Sequence, residues 1–138
     1  MASIRKEITI NASATHAWAA VRDIGQLHTR LAPGFVVETK LEGDSRIVTF
    51  GNGMTARERI VDLDDTQRRL VWNIPDGRFT HHNGAFQIFA DGPQRCRAVW
   101  VTDLLPHELA APISAMQDQG MSIMQRTLEE SYKAAAPS

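Results

Sequence analysis

Residues 35–65 read FVVETKLEGDSRIVTFGNGMTARERIVDLDD, and this stretch decides the fold. Phe35, Val37, Thr39 and Leu41 alternate with Val36, Glu38, Lys40 and Glu42, which is the period of a half-buried strand. Gly43-Asp44 turns the chain, Arg46 to Phe50 forms the next strand, and Gly51-Asn52-Gly53 turns it again. A longer strand follows over 54–63 and is closed by Asp64-Asp65-Thr66. Such short turns join antiparallel neighbours, because parallel strands need long crossovers. The stretch is therefore an antiparallel meander.

The same pattern continues downstream, with strands over 68–74, 79–90 and 94–104. Pro75-Asp76-Gly77 and Asp91-Gly92-Pro93 separate them. Upstream, Ile4, Lys6, Ile8 and Ile10 share one side of a strand over 4–10. Asn11 and Ser13 offer caps for a short helix over 14–22, which carries Trp18 and Val21. A second short helix runs from Gln26 to Leu31 and stops before Pro33-Gly34. The C-terminal segment 112–133 reads as one long amphipathic helix, with Pro112 in its first turn. Ile113, Met116, Met121, Ile123, Met124, Leu128 and Tyr132 fill about half its circumference. Gly120 lies within that face, where it serves either a close helix–sheet approach or room for a ligand.

The expected fold is α+β: a curved seven-stranded antiparallel sheet around a long C-terminal helix, with two short helices after the first strand. A single domain over 1–138 accounts for the chain. With 138 residues and 15.3 kDa there is sequence for one substantial core and little more. A long curved sheet and one helix do not close completely, and the gap between them becomes a cavity.

Charge and motif content narrow the function classes. The net charge is -1 and no long Arg/Lys run occurs, so no nucleic-acid partner is expected. No window is apolar for long enough to span a membrane, and the N-terminus has no signal-peptide apolar region. One cysteine, Cys96, allows no internal disulfide and fits a cytoplasmic protein. Cys96 reads as a buried structural thiol within a strand. His81 and His82 are adjacent without further spaced ligands, so no metal site is expected. Neither a dinucleotide fingerprint nor a Gly-x-Ser-x-Gly elbow appears, and no cofactor is expected.

Several local features support a resemblance. They are Ile8-Thr9-Ile10-Asn11-Ala12 before Ala17-Trp18, then Val21-Arg22-Asp23-Ile24, Gly43-Asp44-Ser45-Arg46, and Thr127-Leu128-Glu129 in the last helix. With the order of elements, they resemble the helix-grip fold of the START-like, or Bet v 1-like (SRPBCC), superfamily. The polyketide cyclase/dehydrase and lipid-transport type is the nearest group. The resemblance spans Ile4 to Tyr132 and implies binding of lipids, hormones or aromatic metabolites, cyclisation of polyketides, or regulation. It carries no universal catalytic motif.

Alternation assigns the cavity wall. Met54, Ala56, Glu58 and Ile60 face inward, opposite Arg57 and Arg59. Leu70, Trp72 and Ile74 face inward in the next strand. Thr80, His82, Gly84, Phe86 and Ile88 do so in strand 79–90, which leaves Phe79 and Phe89 outside. Cys96, Ala98, Trp100 and Thr102 form the inward set of the last strand. The expected ligand contacts are Met54, Trp72, Phe86, Trp100, Thr102, Met116, Gly120 and Met124. This wall suits a small hydrophobic or aromatic molecule.

Glu58 and His82 are the candidate catalytic residues. A carboxylate in an apolar cavity has a raised pKa unless paired, and a histidine beside it shuttles protons near neutral pH. Such a pair would enolise a ketone or assist an aldol cyclisation. The structural alternative pairs Glu58 with an arginine at the sheet rim and leaves His82 satisfied in the wall. His28 is placed near the cavity mouth, and Asp103 is expected to cap the helix start or pair with Arg57 or Arg59. Three functions remain open: ligand binding, a cyclase or dehydratase, and a partner-binding or stress-related domain with a vestigial cavity and a possible homodimer.

Overall fold

The structure, a computed structural model, describes residues 2–135. Seven strands make one sheet: β1 (Ala2–Ile10), β2 (Val36–Glu42), β3 (Ser45–Phe50), β4 (Thr55–Asp64), β5 (Arg69–Asn73), β6 (His81–Ala90) and β7 (Cys96–Leu105). Their order is β1-β7-β6-β5-β4-β3-β2, antiparallel throughout. The meander from β2 to β7 is thus sequential, as its short turns require. Only the β1–β7 pairing joins distant parts of the chain, with Ile4 opposite Thr102 and Ile10 opposite Cys96.

Helix α1 (Ala14–Arg22) follows β1, and the Ser13 side chain accepts a hydrogen bond from the His16 N–H at its start. A 3-10 turn (Ile24–Gln26) and a π turn (Leu27–Leu31) occupy the place of the second short helix. Helix α2 (Ala110–Ala135) has 26 residues and is the last described element. It begins just ahead of Pro112, which sits in its first turn where no backbone N–H is missed.

α2 lies along β1 and is pinned there by polar contacts. Lys6 Nζ stands 3.1 Å from the Asp118 carboxylate. Gln125 Nε2 donates to the Thr9 carbonyl at 2.7 Å, and the Asn11 N–H donates to Glu129 at 2.8 Å. At the turn between β4 and β5, Trp18 Nε1 and Arg22 Nε of α1 both donate to Asp65 Oδ1, at 2.9 and 2.8 Å. The core between these attachments is closely filled: Ile10, Ala12, Ala17, Cys96, Ala98 and Leu128 have no exposed surface. Burial pushes the Cys96 thiol up to about 11, so it stays protonated and structural.

Three local expectations need correction. β2 carries a bulge between Val36 and Glu38, so Phe35 and Val36 are both buried while Val37 is 53% exposed. Strict alternation from Phe35 therefore fails at its first step. β6 begins at His81, so Phe79 lies in the preceding loop and turns inward, against the His82 ring at 4.9 Å between centroids. Asp103 pairs with neither Arg57 nor Arg59. It accepts from Ser3 Oγ at 2.6 Å, while Arg57 bonds Glu42 and Arg59 stands near Asp44.

Candidate functional site

Because α2 is held against β1, it does not pack closely over the sheet from β3 to β6. The space left is a cavity of about 1100 Å³. Its walls are the inner face of the sheet, the first half of α2, and the turn Leu27–Leu31. Met54, Trp72, Phe86, Trp100, Thr102, Met116 and Met124 all line it. Met54 is 50% exposed and stands at the mouth, with Asn52, Asp76 and Arg78. Gly120 does not line the space. A Cβ there would sit 3.1 Å from Phe35 Cε2 and 3.2 Å from Trp100 Cζ3, so the glycine serves the close approach of α2 to those rings.

The aromatic wall is built by register. Trp72 of β5 stands directly opposite Gly84 of β6, and its indole lies over that glycine. A Cβ on residue 84 would meet Trp72 Cε2 at 2.7 Å, so only glycine leaves the ring its place. Trp100 then lies 6.2 Å from the Trp72 ring and 6.1 Å from the Phe86 ring, tilted against both. These tilted contacts hold the flat side chains at defined angles along the cavity wall.

Arg46 and Glu58 are cross-strand partners on β3 and β4. Arg46 Nε donates to Glu58 Oε1 at 2.8 Å, with the two side chains only 5% and 9% exposed. The guanidinium also faces the Trp72 ring at 5.9 Å and reaches the Ile24 carbonyl at 3.4 Å. Glu58 thus has an arginine partner, but a buried one in the cavity wall rather than one at the rim. Arg46 was missed by face assignment. Its signal was available: it shares a strand face with Val48, which is fully buried, and with Phe50.

His82 accepts the Ile74 N–H at Nδ1, at 3.2 Å, which places the proton of the neutral ring on Nε2. Burial and the neighbouring His81 push its pKa down to about 4, so the ring is neutral near pH 7. Glu58 and His82 do not form the expected adjacent pair. Registers Arg59↔Asn73 and Trp72↔Gly84 put Glu58 and His82 on opposite sides of Ile74. They face the same space across two strand spacings, or about 10 Å of sheet. His28 sits half-buried on the π turn with Nδ1 unpartnered, outside the cavity wall.

Gln117 was also missed. It has no exposed surface, lines the cavity, and neither its Nε2 nor its Oε1 has a partner among the described residues. Trp100 Nε1 is likewise unpartnered. Each such group costs roughly 1–3 kcal/mol if left dry. The helical spacing signals Gln117, since it lies on the stripe of Ile113, Gly120, Met121 and Met124.

No cluster of three or more potential metal ligands occurs among the described residues, and none of their helices is long and apolar enough to cross a membrane. Residues 1–135 match the family described as polyketide cyclase / dehydrase and lipid transport. No match to a curated protein was found. Solved structures share the fold. A protein from Thermobifida fusca is 26% identical, with a TM-score of 0.79 over 97% of this chain and 95% of its own. One from Bacillus thuringiensis is 18% identical, with a TM-score of 0.82 over 92% of this chain and 98% of its own. Norcoclaurine synthase from Thalictrum flavum, in complex with dopamine and hydroxybenzaldehyde, is 16% identical, with a TM-score of 0.73 over 99% of this chain and 89% of its own.

Proposed function

The chain belongs to the polyketide cyclase / dehydrase and lipid transport family, and from that premise we propose that it binds a small, flat, largely apolar molecule between α2 and the sheet. The observation that carries this reading is the cavity of about 1100 Å³ with three large rings, Trp72, Phe86 and Trp100, on its wall. Ligand sites commonly enclose roughly 300–1,000 Å³ and combine such apolar walls with a few polar groups. Met116 and Met124 on the opposite wall adapt to irregular ligand shapes.

Filling the cavity tests the reading. Ala56 lines it from β4, and Ala56→Trp places an indole in the ligand's volume. Native protein should bind 2-naphthol or phenanthrene saturably, one molecule per chain by native mass spectrometry. Ala56→Trp should lose that binding while keeping the native circular dichroism spectrum. No saturable binding of these or of oleate, or equal binding by the folded variant, would overturn it.

Acid–base chemistry is the second reading, favoured by Glu58 and His82 both lining the cavity. They stand two strands apart with no hydrogen bond between them, so under this reading a substrate lies between them. His82 Nε2–H would polarise a carbonyl while Glu58, held by Arg46, takes a proton elsewhere on the substrate. Under this reading Glu58→Gln and His82→Gln abolish turnover of a polyketide-like substrate while leaving its binding largely intact.

A further inference from the structure

Two neutral polar groups of the cavity wall, the Gln117 carboxamide and Trp100 Nε1, have no partner among the described residues. We propose that Gln117 and Trp100 select a ligand with an uncharged donor–acceptor edge, a carboxamide or lactam, over an anionic carboxylate of the same shape. The proposal rests on the cavity being a ligand site and adds the chemistry that site recognises.

Gln117 is the stronger observation. At its helical position the stripe calls for an apolar side chain, since Ile113, Met121 and Met124 share it. The carboxamide is fully buried, and both its donor and its acceptor lack a protein partner. Buried amides are almost always bonded. Its NH₂ and C=O stand side by side, so they match a ligand edge presenting an acceptor next to a donor. Trp100 Nε1 supplies a second donor and no acceptor. The two walls meet one turn further along α2, where Gly120 brings the helix against Trp100. Gln117 and Trp100 therefore face one compartment.

The charges of the cavity point the same way. Arg46 is paired with Glu58, and His82 is neutral. Arg57 is paired with Glu42, while Asp76 and Arg78 stand at the exposed mouth. The interior therefore offers no spare cation to a carboxylate leaving water. A neutral edge meets complementary dipoles there and carries a far smaller desolvation cost.

Three probes of one shape separate the terms: naphthalene, 2-naphthamide and 2-naphthoate, titrated near neutral pH by calorimetry or fluorescence. Native protein should prefer 2-naphthamide over both others by about tenfold, the size of one or two well-placed hydrogen bonds. Gln117→Leu should remove most of that preference and leave naphthalene bound as tightly or more tightly. Its melting temperature without ligand should be unchanged or raised, because an unsatisfied amide has gone. Trp100→Phe, which keeps a ring but deletes the N–H, should weaken 2-naphthamide more than naphthalene.

Tighter binding of 2-naphthoate than 2-naphthamide would overturn the proposal. So would Gln117→Leu weakening naphthalene and 2-naphthamide equally. If naphthalene binds and no preference appears, the selectivity fails and the ligand site stands. If none of the three binds, the ligand site itself falls, and this inference falls with it.

Discussion

The two ends of the space beneath the sheet are built from the same alternation and come out differently. At the α1 end, Ala12, Ala17 and Ala98 are small enough for helices and sheet to meet, and Ile10 and Leu128 fill what remains. At the other end, Trp72, Phe86 and Trp100 stand tilted to one another around a cavity. Both ends take apolar side chains out of bulk water. Only one is solid. The polar burial is also unequal: Arg46, Glu58, Thr102 and Gln117 all belong to the hollow end. Periodicity thus reports which face leaves water, whereas side-chain volume and helix placement decide whether that face becomes core or wall.

The largest effect should come from the buried ion pair of the hollow end. Arg46→Met leaves the Glu58 carboxylate without its partner, and breaking a buried pair from one side costs about 3–5 kcal/mol. Replacing both, as Arg46→Met with Glu58→Leu, should recover most of that loss, because two apolar side chains suit the wall. Urea denaturation of the three proteins measures both values. A cost below about 1 kcal/mol for Arg46→Met would match an exposed pair, and the hollow end would then be wet throughout.

Truncating one apolar residue at each end tests the comparison directly. Leu128→Ala opens a void in filled core and should cost about 2–5 kcal/mol. Met116→Ala opens onto space that already exists, so only its partial burial is lost, at about 1 kcal/mol. Equal losses would show that the hollow end is packed as tightly as the solid one.

Much of this was legible in the sequence, and the failures share physical causes. Turn lengths set the meander, and the inward sets Leu70/Trp72 and Ala98/Trp100/Thr102 followed from two-residue periodicity. The bulge at Val36 escaped because an extra residue leaves no compositional mark. Arg46 and Gln117 escaped because polarity alone suggests exposure, although each shares a face with buried apolar neighbours. The distance between Glu58 and His82 depends on the register of the intervening β5, which no local pattern contains. Gly120 fell to the same ambiguity: a missing side chain signals either a close neighbour or an empty volume, and Phe35 with Trp100 decides for the neighbour.

The remaining stability effect is a pH dependence carried by His82 on the wall of the hollow end. Cys96 at the solid end is pushed up to about 11 and does not titrate between pH 4 and 7, whereas His82 on the wall is pushed down from 6.5 to about 4. Folding holds the His82 ring neutral, and the unfolded chain takes up a proton first. The stabilisation is therefore complete above the unfolded value of 6.5 and is lost as the pH falls through 6.5 towards 4. At about 1.4 kcal/mol per unit, and reduced for the ring's remaining solvent contact, the loss attributable to His82 is on the order of 2–3 kcal/mol. His82→Gln keeps a side chain able to accept the Ile74 N–H and cannot titrate, so unfolding free energies measured from pH 7 to pH 4 should decline less steeply by that amount. An unchanged decline would assign the slope to carboxylates elsewhere and put His82 in contact with water. A ligand that fills the cavity should sharpen the native slope, because it removes the solvent that makes protonation of the folded ring possible.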